Sequence, residues 1–416
     1  MRLAYLCADR GVPLDGVKGA SIHVRAVADA LSERGHALTM LTARPGDRSG
    51  RQRWPMVDVG YDRSLKELKR AMPTADGDLQ LGRETHAMLL NLRVAEALEE
   101  LERQEPLDAV YERYSLWSWA GLRFARRHRK PLILEVNAPL VREATEWRRL
   151  ELAPLASAVE RQMLRGADAV IVPSRELADW LTNEVGRRRH TRVIPNGFDE
   201  RLFRRPAPLP AAAGRLRDRY VIAFVGSLKP WHGVDVLLSA FERLLSRVPE
   251  AHLLVVGDGP LRQEVEAAAG RLGEDRVTVA GPVDHSHVPG WLACADVAVA
   301  PYPRLDSFYF SPLKVVEYQA AGLPVVASRC GQLDRLILDG DTGRLVPPGD
   351  AESLAVALAD LHRDPALRRR MGARGRRRAF RCSGWSAVAA HTEAVIERCL
   401  GRRAPFATAA QAEAGA

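Results

Sequence analysis

No run of eighteen apolar residues occurs in the 416-residue chain, so no segment can cross a bilayer as a helix. The opening, MRLAYLCADR, has no apolar core of signal-peptide length and reads as a first strand, which points to a cytoplasmic protein. Cysteine is scarce. The five (Cys7, Cys294, Cys330, Cys382, Cys399) are scattered and form no C-x-x-C, which excludes a disulfide or zinc framework and leaves reduced core thiols. A G-x-G-x-x-G fingerprint is missing from both halves, which argues against a nicotinamide dehydrogenase. Aromatics are only 6% and do not interleave with the arginines, so nucleic acid is not an expected partner.

Arginine, by contrast, is abundant, at 55 against six lysines, and the net charge is +9. Runs such as Arg187–Arg189, Arg368–Arg370 and Arg376–Arg378 are matched locally by acids and read as solvated faces. A basic field would still draw in an anionic small molecule, and peripheral contact with an anionic membrane face is the second partner it fits.

Apolar content of 46% over this length predicts two domains of about 200 residues each. Short apolar runs alternate with amphipathic stretches throughout, which predicts parallel sheets covered on both faces. The expected helices include 115–129 and one long helix over 140–165. Residues 43–80 read as a loop-rich insertion with a helix near 62–71, in which Asp76-Gly77-Asp78 is a turn rather than a metal site. Phe203 to Gly214, rich in Pro, Ala and Arg, is the clearest composition shift and reads as the linker. The boundaries that follow are 1–198, 199–380, a last helix over 381–400 and a disordered tail over 401–416.

The most informative stretch is DSFYFSPLKVVEYQAAGLPVVAS, from Asp306 to Ser328. Ser311 suits an N-cap and Pro312 the first helical position; Gly322 and Pro324 end the helix, and Val325 begins a strand. The N–H groups of Leu313, Lys314 and Val315 then make an anion site suited to phosphate. Glu317, one turn on, can accept two hydrogen bonds from a sugar diol.

Two further loops follow strands. After Leu3–Ala8 comes DRGVPLDGVKGAS, with Ser21 expected to cap the next helix. After Tyr220–Val225 comes GSLKPWHG, in which Gly226, Ser227, Lys229 and His232 suit a phosphate, and a histidine there predicts binding that changes near pH 6.5. Asn137 lies just beyond the strand ending at Val136, where open α/β sheets place ligands. Glu143 and Arg142 lie near it on the acceptor side.

SPLKVVEYQAAGLPVVAS, together with KGASIHVRAVADALSERGHALTMLT, GADAVIVPS and VIPNGFD, resembles the retaining glycosyltransferases of family four. The resemblance implies the GT-B fold, two Rossmann-like domains facing each other across a cleft, with a nucleoside-diphosphate sugar of UDP or GDP type as co-substrate and no other cofactor. It implies that Glu317 meets the donor ribose and that Gly19 approaches the donor phosphate. Val283 would present its backbone to the base. The family's first Glu falls on Tyr309, its sugar-contacting His on Asn137, and its two phosphate cations on Ser227 and His232, with Lys229 supplying the missing charge. It also implies front-face transfer with retention and without a metal, to a glycan, lipid-linked or small-molecule acceptor. A nucleotide-sugar 2-epimerase and a non-catalytic sugar-nucleotide sensor share the fold and stay open at this point.

Overall fold

Apolar runs such as RLAYLC and YVIAFV are buried along nearly their whole length, as strands covered on both faces must be. In the computed structural model the described residues are 1–401, apart from 17–18, 47–53, 61–62, 64–66, 68–78, 188–189 and 274. Most of the expected helix near 62–71, Asp76-Gly77-Asp78 and nearly all of the tail lie outside them; Arg63 and Glu67 of that stretch are helical. The chain forms two compact units, one from Met1 to Pro195 joined by the segment from Val388, the other from Asn196 to Ala387.

The first unit holds β1 (Arg2–Cys7), β2 (Ala37–Thr42), β3 (Met56–Asp58), β4 (Ala109–Arg113), β5 (Leu132–Glu135), β6 (Ala169–Val172) and β7 (Thr191–Val193). Their order across the sheet is β3-β2-β1-β4-β5-β6-β7, all parallel. The second unit holds β8 (Tyr220–Val225), β9 (Ala251–Val256), β10 (Val277–Gly281), β11 (Val297–Ala300), β12 (Val325–Ser328) and β13 (Gly343–Val346). Their order is β10-β9-β8-β11-β12-β13, again all parallel. Each sheet reverses direction once, between β1 and β4 and between β8 and β11. Those reversals leave crevices at the strands' carboxyl ends.

Several expectations need correction. The edge strand β3 lies in the stretch read as an insertion. The helix read over 115–129 begins only at Ala120, because the Asn91 side chain accepts from Trp119 and Ala120 N–H and so caps it from another helix. The long helix over 140–165 is two, Leu140–Trp147 and Ala153–Gly166; the Glu84 carboxylate takes the Glu151 and Leu152 N–H groups at the break. Ser21 is not a cap. The helix starts at Gly19 and Ser21 is buried inside it. Phe203 is buried in the core of the second unit, so the stretch read as a linker belongs to that unit. All five cysteines are free, but Cys382 is exposed rather than a core thiol.

The arginine runs are not simply solvated. Arg187 is buried and donates to Leu164 C=O. Arg368 donates to Leu361 and His362 C=O at 2.7 and 2.8 Å, at the end of helix Ala351–Arg363. Arg376 donates to Ala320 C=O, at the end of helix Leu313–Ala320, and to Phe203 C=O. A guanidinium satisfies carbonyls that a helix end leaves orphaned and complements the negative end of its dipole. Asp339-Gly340-Asp341 is a turn. Asp339 accepts from Leu345 N–H at 3.0 Å and pairs with Arg329, and Asp341 pairs with Arg374.

Candidate active site

In the second unit the loops leaving the reversal are residues 226–233, after β8, and 301–312, after β11. Helix Leu313–Ala320 follows the second loop. Its Tyr318 hydroxyl accepts from Val225 N–H at 2.7 Å and donates to Val225 C=O at 3.1 Å, which pins the helix to the end of β8. Gly226 sits at φ +145°, and a Cβ there would lie 2.8 Å from Lys314 Nζ. Only glycine permits both the backbone and the close approach. The helix start and the second loop are thus one structure.

Lys314 does not stand beside the helix start as expected. Its ammonium is buried 4.2 Å above the Phe224 ring, without a hydrogen-bond partner among the described residues. Burial pushes it down to about 7, and Glu317 offsets part of that. Ser311 is not the N-cap. Its Oγ accepts from Asn196 N–H at 3.0 Å, and Pro312 takes the cap position without a side-chain bond. Val315 N–H bonds back to Pro312 C=O, so the anion-facing donors reduce to Leu313 and Lys314. Tyr309 is half-buried with its ring 4.6 Å from that of Phe310. The expected pH response of His232 is overturned. Burial, then Lys314, then Lys229 hold it down to about 3, and its neutral Nδ1 lies 2.6 Å from Ser227 C=O, to which it donates. Lys229 is half-buried with its ammonium 4.6 Å from the Trp231 ring. His232 therefore lies within electrostatic reach of Lys314 and Lys229, and Lys314 within reach of Glu317.

Glu317 is 7% exposed, and its Oε1 is taken by His285 Nε2 at 2.6 Å. This leaves Oε2 clear of the imidazole, where the sequence suggested a carboxylate with both oxygens available. His285 lies two residues past Val283, in the turn after β10. Burial lowers its affinity for a proton, but Glu317 more than compensates and raises it. The protonated form's contribution is therefore complete below about pH 6.5 and lost as pH rises through the shifted value. His285→Phe should raise KM for a substrate held by Glu317 about tenfold with kcat little changed, because a lost charged hydrogen bond here is lost from ground and transition states alike. His285→Gln, which keeps an N–H, should restore most of it in steady-state kinetics. No feature of the sequence singled out this histidine.

Gly19 and Asn137 lie in the first unit. Gly19 opens helix Gly19–Glu33. Asn137 Nδ2 donates to Glu135, the last residue of β5. The same buried carboxylate takes His23 Nε2 at 2.8 Å, Arg113 Nη1 at 2.9 Å and the Tyr111 hydroxyl. At the β1/β4 reversal the unit also holds a cavity of about 460 Å³. Glu112, Trp117 and Ser118 line it, with arginines at its rim. Among the described residues no cluster of three or more His, Cys, Asp or Glu side chains is placed to hold a metal ion.

The family model described as Glycosyltransferase Family 4 matches residues 17–202, and that described as Glycosyl transferases group 1 matches residues 219–364. The chain is similar to an "MMP alpha-(1->4)-mannosyltransferase" of Mycolicibacterium hassiacum, 29% identical over 92% of this chain and 95% of that protein. It is also similar to a "D-inositol 3-phosphate glycosyltransferase" of Arthrobacter sp. FB24, 30% identical over 90% of this chain and 88% of that one. Among solved structures, sucrose-phosphate synthase from Thermosynechococcus elongatus superposes with a TM-score of 0.71 at 24% identity, over 96% of this chain and 99% of that one.

Proposed function

The chain belongs to the family-four glycosyltransferases, with the GT-B fold, and from that premise we propose that it moves a hexose from a nucleoside-diphosphate sugar to an acceptor hydroxyl, with retention of configuration and without a metal ion. The observation that carries the reading is the buried Lys314 ammonium, unpartnered among the described residues, beneath Gly226, with His232 in electrostatic reach of both it and a second cation, Lys229. Negative charge grows on the diphosphate as the glycosidic C–O bond breaks. Fixed positive groups already aimed at that oxygen stabilise it without reorganisation. Lys314, Lys229 and the Leu313 and Lys314 N–H groups are such a set, and they do what a metal ion does in other glycosyltransferases.

His285 holds Glu317 so that Oε2 meets the ribose. With Oε1 on His285 and Oε2 given to the ribose, Glu317 does not serve in this reading as the nucleophile of a double displacement. The leaving phosphate oxygen itself takes the acceptor proton, and the new C–O bond forms on the face the phosphate leaves. Asn137, oriented by Glu135, is the group for a sugar hydroxyl. One relative's name, D-inositol 3-phosphate glycosyltransferase, supports a hydroxylated anionic acceptor, and the net charge of +9 fits such an acceptor, free or lipid-linked, and a position peripheral to an anionic membrane face. No helix among the described residues is long and apolar enough to cross a membrane.

Incubation with UDP- and GDP-hexoses and an acceptor panel, read by proton NMR of the anomeric centre, tests this. An α-linked product from an α-linked donor, unaffected by EDTA, is expected. Glu317→Ala and Lys229→Ala should each lower turnover about 10²–10³-fold with the fold intact by circular dichroism. An inverted product, loss of turnover in EDTA, or wild-type turnover in either variant would overturn it.

A further inference from the structure

The loop that leads into the donor helix, residues 301–312, contains no helix or strand, so no backbone ladder holds it. Its ties come from outside, and the turn that leaves β12 reaches it at both ends. Ser328, the last residue of β12 and 1% exposed, donates from Oγ to Tyr302 C=O at 2.7 Å, an oxygen that also accepts from Gly349 N–H at 3.2 Å. Four residues on, Gln332, 3% exposed, donates from Nε2 to Phe310 C=O at 2.9 Å. An amide oxygen facing that carbonyl would be repelled, so the partner sets which way the amide points. Between the two, Gly331 sits at φ +50°, and a Cβ there would fall 2.4 Å from the Phe308 ring and 2.6 Å from the Phe308 carbonyl oxygen. Only glycine lets the turn come this close. Asn196 adds a further tie, donating from Nδ2 to Ser311 C=O at 3.1 Å.

The tied residues lead straight to the proposed chemistry. Phe310 stands three residues before Leu313, and Pro312, with its φ fixed by the ring, leaves little slack between them. At the other tie, the buried Tyr302 ring lies 5.9 Å from the Lys314 ammonium and 6.0 Å from the His232 ring, and meets Phe308 edge-on at 4.7 Å. A shift of the loop therefore moves both the Leu313 and Lys314 N–H groups and the aromatic surroundings of the Lys314 side chain. Donors stabilise a growing anion only where they already stand in place, and a misplacement of about 1 Å can cost on the order of 10²-fold in rate.

We propose that Gln332 is a positioning residue for glycosyl transfer: acting through Phe310 C=O and not on the substrate, it holds loop 301–312 so that the Leu313 and Lys314 N–H groups meet the diphosphate as charge grows on it. The inference rests on the glycosyl-transfer reading and adds to it a side chain from outside the donor helix and both phosphate loops. A bond that serves stability alone has a standard in the same unit. The Tyr220 hydroxyl donates to Leu358 C=O at 2.9 Å, is similarly buried, and lies at the amino end of β8, the end opposite the loops.

Steady-state kinetics, calorimetry and thermal melts on the full chain separate the two roles. Gln332→Met keeps the length of the side chain without its N–H. With the UDP- or GDP-hexose that the wild type turns over, its kcat should fall about 10–100-fold, while the donor KM and the calorimetric affinities for UDP and GDP change by less than about threefold. Tyr220→Phe should lose a similar few degrees of melting temperature and keep the wild-type kcat. Ser328→Ala, at the tie shared with Gly349, should lower kcat about 3–10-fold with the same split, and it takes the place of Gln332→Met if that variant does not fold. A kcat within about twofold of wild type, a KM that rises as much as kcat falls, or an equal loss of kcat in Tyr220→Phe overturns the positioning role and leaves the transfer reading standing. A wild type that turns over no nucleotide sugar and binds neither UDP nor GDP would sink the transfer reading and this inference together.

Discussion

Lys314→Met should lower kcat by about 10²–10³-fold and leave the free protein as stable as the wild type, or more so. The two halves of that result come from one observation. The ammonium is buried over Phe224 and makes no hydrogen bond among the described residues, so in the free protein it is a charge in a low-dielectric site that Glu317 compensates only in part. Methionine fills the same length without the charge and relieves the desolvation. A residue held for packing alone would show the opposite pattern, losing melting temperature with turnover retained. Paired thermal melts and single-turnover rates decide between them.

The same group predicts a proton linkage. Its folded value is depressed to about 7 from an ordinary 10.5, so between those limits the unfolded chain binds more protons than the folded one. Stability of the free protein from this group therefore rises with pH across about 7 to 10.5, and the slope disappears in Lys314→Met. Donor binding runs the other way. A diphosphate beside the ammonium favours its charged form, so above about pH 7 binding takes up a proton and affinity for a nucleotide sugar falls by up to about tenfold per pH unit. Calorimetry in buffers of different protonation enthalpy reads the uptake directly. His232, held at about 3, is neutral throughout this window. Burial lowers and Glu317 raises His285's affinity for a proton, with a net rise, and His285→Gln removes that contribution.

What could be read in advance depended on whether the signal was local. Alternating apolar runs predicted two parallel sheets, and Gly322 at φ +82° ends the donor helix where its position after the last apolar turn placed it. The loop GSLKPWHG was readable because a strand end, two glycines and a lysine occur within eight residues. Partners far apart in sequence were not readable. His285 reaches Glu317 across 32 positions, and Arg376 caps Ala320 across 56. Helix starts at Ala120 and near Ala153 are capped by Asn91 and Glu84 from a different helix, so the cap residues next to them in sequence say nothing. Ser311 shows the converse. It has the right identity for a cap, and Asn196 claims its hydroxyl instead. His232 was read with its solution titration because burial and a neighbouring ammonium have no local signature.

Glu135→Ala should cost the first unit about 3–5 kcal/mol, the largest stability loss expected from a single site described above. Three donors, from His23, Arg113 and Asn137, converge on its Oε1, and the Tyr111 hydroxyl takes Oε2, all around a carboxylate only 3% exposed. Removing it leaves a guanidinium and an imidazole facing each other without an anion between them. At about 2–4 °C per kcal/mol for a unit of this size, the corresponding melting transition should fall by roughly 6–20 °C. Glu135→Gln keeps the shape but not the charge, so it should fall part of the way. His23, then Arg113 and Tyr111, outweigh burial and hold the carboxyl well below its usual range. Its contribution is therefore complete above about pH 4.5 and lost as pH falls below that, and Glu135→Ala should flatten the acid limb of the stability curve. The loss should also reach the chemistry, because Asn137 is oriented only by this carboxylate among the described residues. In Glu135→Gln, assayed at a temperature where the protein is fully folded, kcat should fall more than KM rises, and a variant with wild-type kcat would show that Asn137 is not the sugar contact.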